Sequence, residues 1–182
     1  MTSEGVNPNT RTGKGWCVLV VGLVLTLDQF TKLLVSAKLR EGDEITLIGG
    51  LLNLNYTKNP GIAFGMLNNG NVKWLLVAIS VAAVAVVAYY LKRTRASNRL
   101  LLWSLSLLAA GISGNLVDRV RMGTVIDFID VYHKSYHWPV FNVADTAITI
   151  GAALMAIELF LAPQPAQVGP EESRHAEIGS SD

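Results

Sequence analysis

The sequence predicts a mainly α-helical membrane protein, a bundle of four transmembrane helices that carries a small extracytoplasmic β-sheet. Of its 182 residues, 51% are hydrophobic and only 16% are charged, whereas soluble domains carry about 25% charged residues. The apolar residues also fall in four stretches, each close to the roughly 20 residues that a helix needs to cross a bilayer. These stretches are residues 16–35, 72–91, 100–120 and 140–161.

The charged residues between the spans predict the orientation in the membrane. The connection at residues 92–99 has four basic residues and no acidic one, which places it in the cytoplasm by the positive-inside rule. Both termini are then cytoplasmic, and the connections 36–71 and 121–139 lie on the outer side. The first span is preceded by basic residues, as a cleavable signal peptide is, but its apolar run is longer than the apolar region of such a peptide. We therefore expect it to be retained.

The two outer connections predict the sheet. Apolar and polar residues alternate between Glu44 and Thr57 around a Gly49-Gly50 break, and residues 124–132 are rich in β-branched and aromatic side chains. Between them, Lys58-Asn59-Pro60-Gly61 predicts a turn, with Pro60 and Gly61 at the two central positions of type II. We expect one integral membrane domain over residues 1–161, followed by a disordered, proline-containing cytoplasmic tail at 162–182.

The remaining composition excludes several classes of protein. The net charge of +1 provides no basic field, so we expect no nucleic-acid partner. The single cysteine, Cys17, excludes an internal disulfide and a multi-cysteine metal site. Its place inside the first span favours a packing role.

Five acids fall at one predicted depth, and ionisable residues at a membrane indicate function because each costs free energy there. They are Asp28, Asp118, Asp127, Asp130 and Asp145. Asp28 is spaced i,i+4 from Lys32, so the two side chains can neutralise each other on one helix face. Asp118 lies beside small residues typical of close helix contacts, which favours a polar clamp between helices.

Two ambiguities remain among these acids. Asn142 suits the N-cap of the fourth span with Asp145 three residues on, as in a capping box, so Asp145 is interpreted equally as a cap or as a catalytic group. Asp127 and Asp130 both lie among apolar residues of the predicted strand. Periodicity alone does not choose between them.

Three rival functions are compatible with these residues. His133 and His137, spaced i,i+4, suggest a zinc-dependent protease with Asp127 or Asp130 as a further ligand. The following Trp138-Pro139 instead predicts an irregular loop whose aromatic and histidine side chains anchor at the interface. A proton- or ion-coupled transporter would use Asp28, Asp118 and Asp145 as a relay, yet these residues gather at one membrane face rather than at the midplane. The third rival is a non-catalytic module that binds lipoproteins.

Five sequence blocks, in this order, resemble the signature of the bacterial lipoprotein signal peptidases (signal peptidase II). They are LDQFTK at 27–32, NPGIAF at 59–64, GNLVDR at 114–119, VIDFI at 125–129 and FNVAD at 141–145. The resemblance extends from about residue 16 to residue 161. Pro60 and Ile62 depart from the expected small or polar residue and alanine, which affects the shape of that turn.

The resemblance implies an aspartic endopeptidase of the bacterial inner membrane with no cofactor and no metal. Such an enzyme cuts prolipoproteins before a diacylglyceryl-modified cysteine, contacts membrane lipid, and is inhibited by globomycin. The implied catalytic pair is Asp127 and Asp145. Implied lining residues are Asn59, Gly61, Asn115, Arg119 and Asn142, and implied structural polar residues are Asp28, Lys32 and Asp118. The resemblance also implies that the sheet forms a cradle, with a short mobile helix over the cleft ending near residues 68–72.

Overall fold

The computed structural model describes residues 12–61 and 70–161. After a short 3-10 helix at Thr12–Lys14, the described chain contains four long helices: α1 (Gly15–Lys38), α2 (Gly70–Arg93), α3 (Arg99–Met122) and α4 (Val143–Leu161). Each is long and apolar enough to cross a membrane. The predicted fold class, a four-span helical membrane protein with a small sheet, is confirmed.

The helix ends differ slightly from the predicted spans. Helices α1, α2 and α3 extend beyond them at both ends. The fourth span was placed too early: α4 begins at Val143 rather than at residue 140. Phe141 is extended instead and bridges Ile129 of the sheet, and Asn142 then caps the helix, so the residues before it are held by the sheet.

Helix α3 is the most buried of the four and packs against the other three. It approaches α4 most closely, because small residues face each other across this interface. A Cβ atom on Gly111 would collide with the carbonyl oxygen of Ala144. Nearer the other end, the Ser104 hydroxyl donates to the Gly151 carbonyl at 2.8 Å. Helix α2, by contrast, packs chiefly on α3.

Four antiparallel strands form the sheet in the order β1 (Glu44–Ile48), β2 (Leu52–Asn59), β3 (Val125–His133) and β4 (Tyr136–His137). The sheet packs on the end of α1 through a cluster of Val35, Tyr56, Ile126 and Phe128. We call this the sheet end of the bundle. The register of β2 with β3 pairs Thr57 with Asp127 and Asn53 with Asp130.

Two local predictions need correction. Lys58 and Asn59 belong to β2 rather than to the turn, although Gly61 has the positive φ of +78° that a type II turn requires. The segment after Tyr132 is not an irregular loop but a tight hairpin, closed by Lys134 at φ +55°. The predicted short mobile helix ends near residues 68–72, so it reaches into residues 62–69, which lie outside the described residues together with the predicted tail at 162–182.

Candidate active site

Asp127 lies on β3 at the sheet end and is 2% exposed. Its carboxylate is held by two side-chain amides. Asn142 donates from Nδ2 to Oδ1 at 2.7 Å, and Asn59 donates from Nδ2 to Oδ2 at 2.9 Å. Both oxygens of a buried carboxylate are therefore satisfied by neutral donors rather than by a cation.

Asp145 lies in the first turn of α4 and forms a reciprocal capping box with Asn142. The Asp145 N–H donates to Asn142 Oδ1 at 2.8 Å, and the Asn142 N–H donates to Asp145 Oδ2 at 3.2 Å. The other oxygen, Oδ1, accepts from Asn115 Nδ2 at 2.7 Å. Asp145 thus performs the capping role that the sequence predicts, and the same carboxylate takes part in the polar cluster around Asp127.

Asn142 is completely buried and joins the two acids. Its side-chain amide donates to Asp127, while its backbone N–H donates to Asp145. The same amide also lies 3.2 Å from Asn115 Oδ1 and from the Ile126 carbonyl oxygen. One residue therefore sets the position of both carboxylates.

The surroundings of Asp127 change its titration. Burial raises the pKa of Asp127 from 3.8 to about 6, because an ionised carboxylate loses its hydration there. The hydrogen bond from Asn59 opposes this increase in pKa, and the negative charge of Asp145 adds to it. The hydrogen bond from Asn142 and the positive charge of Lys32 also oppose it. The carboxyl group is poised to hold or release a proton just below neutral pH.

A buried ionic cluster lies behind the two acids. Lys32 Nζ is 2.9 Å from Asp28 Oδ2 and 2.8 Å from Asp118 Oδ2, so the predicted i,i+4 pair exists but is shared with a third residue. Lys32 also donates to Asn115 Oδ1 at 3.1 Å. This bond turns the Asn115 amide nitrogen towards Asp145. The cluster thereby orients a side chain that contacts one of the two acids.

Gln29 belongs to this cluster, although it is absent from the residues predicted for the site. Its Nε2 donates to Asp28 Oδ2 and to Asp118 Oδ1, each at 3.1 Å. A polar side chain next to Asp28 within an apolar span was the available signal. Asp118 Oδ1 is an oxygen that Lys32 does not contact, whereas Asp28 Oδ2 accepts from both Gln29 and Lys32.

Arg119 and Gly61 lie beside Asn59, on the side of the site that faces α2. The Gly61 N–H donates to Asn59 Oδ1 at 2.8 Å, which directs the Asn59 amide nitrogen to Asp127. A Cβ atom on Gly61 would lie 2.8 Å from Leu76 Cδ1 and 3.8 Å from an Arg119 nitrogen. Arg119 in turn reaches Ser80 Oγ of α2 at 3.5 Å. All five predicted lining residues thus lie close to the two acids or to their partners.

Asp130 faces away from this cluster. It is buried, and both of its oxygens lie 3.0 Å from His137 Nδ1, while Asn53 Nδ2 lies 3.5 Å away. Side chains three residues apart on a strand point to opposite faces, so Asp127 and Asp130 do not act together.

The arrangement required by the zinc hypothesis is not found. His133 and His137 lie on two paired strands rather than on one helix face. Across residues 12–61 and 70–161, no three His, Cys, Asp or Glu side chains are grouped as metal ligands. The relay proposed for a transporter is also disfavoured, because Lys32 binds both Asp28 and Asp118.

A cavity of about 370 Å³ adjoins Asp145 on the side of α4. Its wall is mostly apolar and includes Trp138, Val140, Phe141 and Ile150. The exposed rings of Tyr136 and Trp138 lie nearby, at the edge of the sheet. Asp145 therefore borders a space suited to an apolar group.

The fold and the site define an integral membrane protein with a paired-carboxylate centre at the sheet end of its helices. The chain belongs to the signal peptidase II family: the family described as "Signal peptidase (SPase) II" matches residues 20–161. It is 41% identical over 145 residues to the lipoprotein signal peptidase of Syntrophus aciditrophicus, covering 78% of this chain and 90% of that protein. It is 43% identical over 142 residues to that of Geobacter metallireducens, covering 78% and 88%.

Solved structures agree with this assignment. A bacterial membrane enzyme determined by the in meso method at 1.9 Å superposes with a TM-score of 0.74 at 32% identity, covering 82% of this chain and 95% of that chain. Another, determined at 2.3 Å, gives a TM-score of 0.72 at 31% identity, covering 84% and 95%. The predicted family is confirmed, and the chain is a multi-pass membrane peptidase by family.

Proposed function

We propose that this protein is an aspartic endopeptidase that removes the signal peptide from prolipoproteins by cutting before a diacylglyceryl-modified cysteine. The observation that carries the proposal is the pair of carboxylates, Asp127 and Asp145, joined through Asn142. The relatives named lipoprotein signal peptidase support the substrate class. No cofactor enters the proposed reaction.

The acid pair acts as a unit that holds one proton, because two neighbouring carboxylates do not both ionise easily. The ionised member accepts a proton from a water molecule, whose oxygen attacks the scissile carbonyl carbon. The protonated member donates its proton to the carbonyl oxygen, giving a neutral tetrahedral intermediate. Collapse of this intermediate breaks the C–N bond: one carboxyl group returns a proton to the leaving nitrogen, and the other carboxylate takes a proton from a hydroxyl of the intermediate, so the pair regains its single proton. The shared proton belongs to the pair rather than to one assigned residue.

The asparagines hold the pair in place for this step. Asn142 and Asn59 fix both oxygens of Asp127, and Asn115, oriented by Lys32, fixes one oxygen of Asp145. A carboxylate fixed in advance loses little orientational freedom when the substrate arrives. Arg119 and Gly61, on the α2 side, are placed to line the path of the substrate backbone.

The shape of the bundle supports a membrane-bound, lipidated substrate. Because α2 packs chiefly on α3, the proposed path of the signal-peptide helix runs between α2 and α4. This helix must unwind at the acids, since a helix hides its carbonyl groups within its own hydrogen bonds. The apolar cavity beside Asp145 is suited to an apolar part of the substrate, such as a segment of an acyl chain.

The charge distribution supports the orientation. The basic connection between α2 and α3 lies at the end opposite the sheet, which supports a cytoplasmic location for that end and for both termini. The sheet and the acid pair then face the outer side of the inner membrane. The proposed activity is expected to be sensitive to globomycin.

Purified protein in lipid, incubated with a diacylglyceryl-modified precursor, tests the proposal. We expect one cut before the modified cysteine and inhibition by globomycin, whereas the same precursor without the lipid is cut far more slowly. Equal cutting of both precursors would overturn the substrate class. Binding of the lipidated precursor without any cleavage would favour the non-catalytic module.

A further inference from the structure

A basic cavity lies at the end of the bundle opposite the sheet, remote from the acid pair. Its volume is about 510 Å³. It is lined by Lys14, Lys92, Arg93, Thr94, Arg95, Ala96 and Ser97. Four of these seven side chains are cationic and none is acidic. The proposed peptidase reaction uses none of them.

Lys14 closes this cavity from a different part of the chain. Its Nζ donates to the carbonyl oxygens of Leu91 and Lys92, at 3.2 and 3.0 Å, and so connects the start of α1 with the end of α2. In the described parts of the chain, the ion pairs involve other residues, and none of the four lining cations is joined to a carboxylate. Within residues 12–61 and 70–161, the cavity therefore concentrates positive charge that no carboxylate neutralises.

Aromatic rings place the cavity at the depth of lipid headgroups. The Arg93 guanidinium lies 5.4 Å from the Tyr89 ring centre, and the rings of Trp16 and Trp103 are 4.7 Å apart. Such rings are enriched where hydrocarbon meets water. Directly below, Val18 and Leu19 of α1 are exposed. A ligand in the cavity thus has charged groups at its head and apolar helix surface beneath it.

We propose that this cavity binds the phosphodiester headgroup of an anionic phospholipid, with the acyl chains lying against the exposed face of α1. Arginine and lysine side chains are the usual protein partners of phosphate oxygens. The positive-inside rule, which sets the orientation of the protein in the membrane, requires only that basic residues lie in this connection. It does not require that they converge with Lys14 on one cavity, and Arg99, in the same connection, is not among the lining residues.

Arg99 provides the matched control. We would prepare the full chain, Lys14→Gln/Arg95→Gln and Arg99→Gln in phosphatidylcholine nanodiscs, and titrate each with phosphatidylglycerol while counting bound lipids by native mass spectrometry. We expect the double variant to bind phosphatidylglycerol about tenfold more weakly, and Arg99→Gln to match the full chain. Inorganic phosphate at millimolar concentration should not displace the lipid.

Three results would overturn the proposal: equal weakening by both variants, equal binding of phosphatidylglycerol and phosphatidylcholine, or displacement by inorganic phosphate. The first would indicate a diffuse charge effect, and the last would indicate a general anion site. Cleavage of the lipidated precursor in phosphatidylcholine reports folding, because the acid pair lies at the other end. If the double variant does not fold, Arg95→Gln alone gives the same comparison, since Arg95 makes no bond that connects α1 with α2.

Discussion

The carboxylate of Asp28, on α1, accepts a hydrogen bond of 2.9 Å from the backbone N–H of Ala144, in the first turn of α4. The N–H groups of a first helical turn have no partner within their own helix, so one helix here caps another. Asp145 follows Ala144 directly. The structural acid of α1 therefore fixes the turn that carries one member of the acid pair.

We expect Asp28→Asn to reduce the stability of the fold more than the rate of cleavage. The amide oxygen still caps α4, but the charge opposite buried Lys32 is lost, and breaking a buried ion pair costs about 3 kcal/mol. Thermal unfolding and yield measure this loss, and the folded fraction should keep most of its activity. A stable but inactive variant would contradict a structural role for Asp28.

Gly114→Ala should destabilise the bundle because the added methyl group would collide with Asp28. A Cβ atom at Gly114 would lie 2.5 Å from Asp28 Oδ2, too close for a carboxylate held by Lys32 and Ala144. Overpacking of this kind costs about 1–3 kcal/mol. Gly22→Ala is the control, because nothing lies within 4 Å of a Cβ atom there. Equal unfolding temperatures for the two variants would refute this packing argument.

Asp127→Asn and Asp145→Asn should each abolish processing while the protein remains folded. Removal of a general acid or base costs about a hundredfold or more in rate. An asparagine still has an oxygen that accepts the amide bonds of Asn142 or Asn115. Cleavage of a lipidated precursor is the measurement.

The matched control for Asp127 is Asp130→Asn, on the same strand and equally buried but directed to His137. It should leave cleavage largely unchanged. Normal processing by Asp127→Asn, or loss of processing in the control alone, would assign the chemistry to a different acid.

The activity should decline as pH rises through about 6, the pKa to which burial raises Asp127. The reaction needs one proton on the acid pair. Because burial raises the pKa of Asp127, the pair keeps this proton up to a higher pH, and the activity declines once the proton is lost. The pH dependence of kcat/KM measures this limb on the free enzyme. An activity that rises across the same interval would contradict the proton-sharing pair.

Asn59→Ala should move that decline to higher pH. The Asn59 hydrogen bond lowers the pKa of Asp127 by favouring the ionised carboxylate, so its removal raises that pKa further. Asn53→Ala, also on β2 but bonded to Glu44 and Asp130, is the control. The two variants should differ in their pH profiles, and identical shifts would show that Asn59 acts only through stability.

Chelators should leave the activity intact. Neither acid of the pair belongs to a group of three metal-ligating side chains among the described residues, and His137 is directed to Asp130. Cleavage assays with and without EDTA measure this. Strong inhibition that added zinc reverses would restore the zinc-dependent alternative.

Much of the fold follows from local sequence signals. Apolar run length predicted the four spans, alternation predicted the strands, and the Asn142-to-Asp145 spacing predicted a capping box that the structure contains. The predictions of secondary structure that were wrong concern residues whose conformation is set by contacts with residues distant in the sequence. Phe141 was assigned to a helix because it is apolar, but its bridge to Ile129 on the sheet holds it extended.

The candidate site depended more on tertiary structure. Motif resemblance selected Asp127 over Asp130, whereas strand alternation could establish only that the two face opposite sides. Neither approach revealed that Lys32 lies between Asp28 and Asp118, or that its bond to Asn115 reaches Asp145. Hydrogen bonds between residues 30 or 83 positions apart, as from Asn115 to Asp145 and from Lys32 to Asn115, leave no periodic trace in a sequence. They arise because close packing of α1, α3 and α4 buries these polar groups together, where each must find a partner.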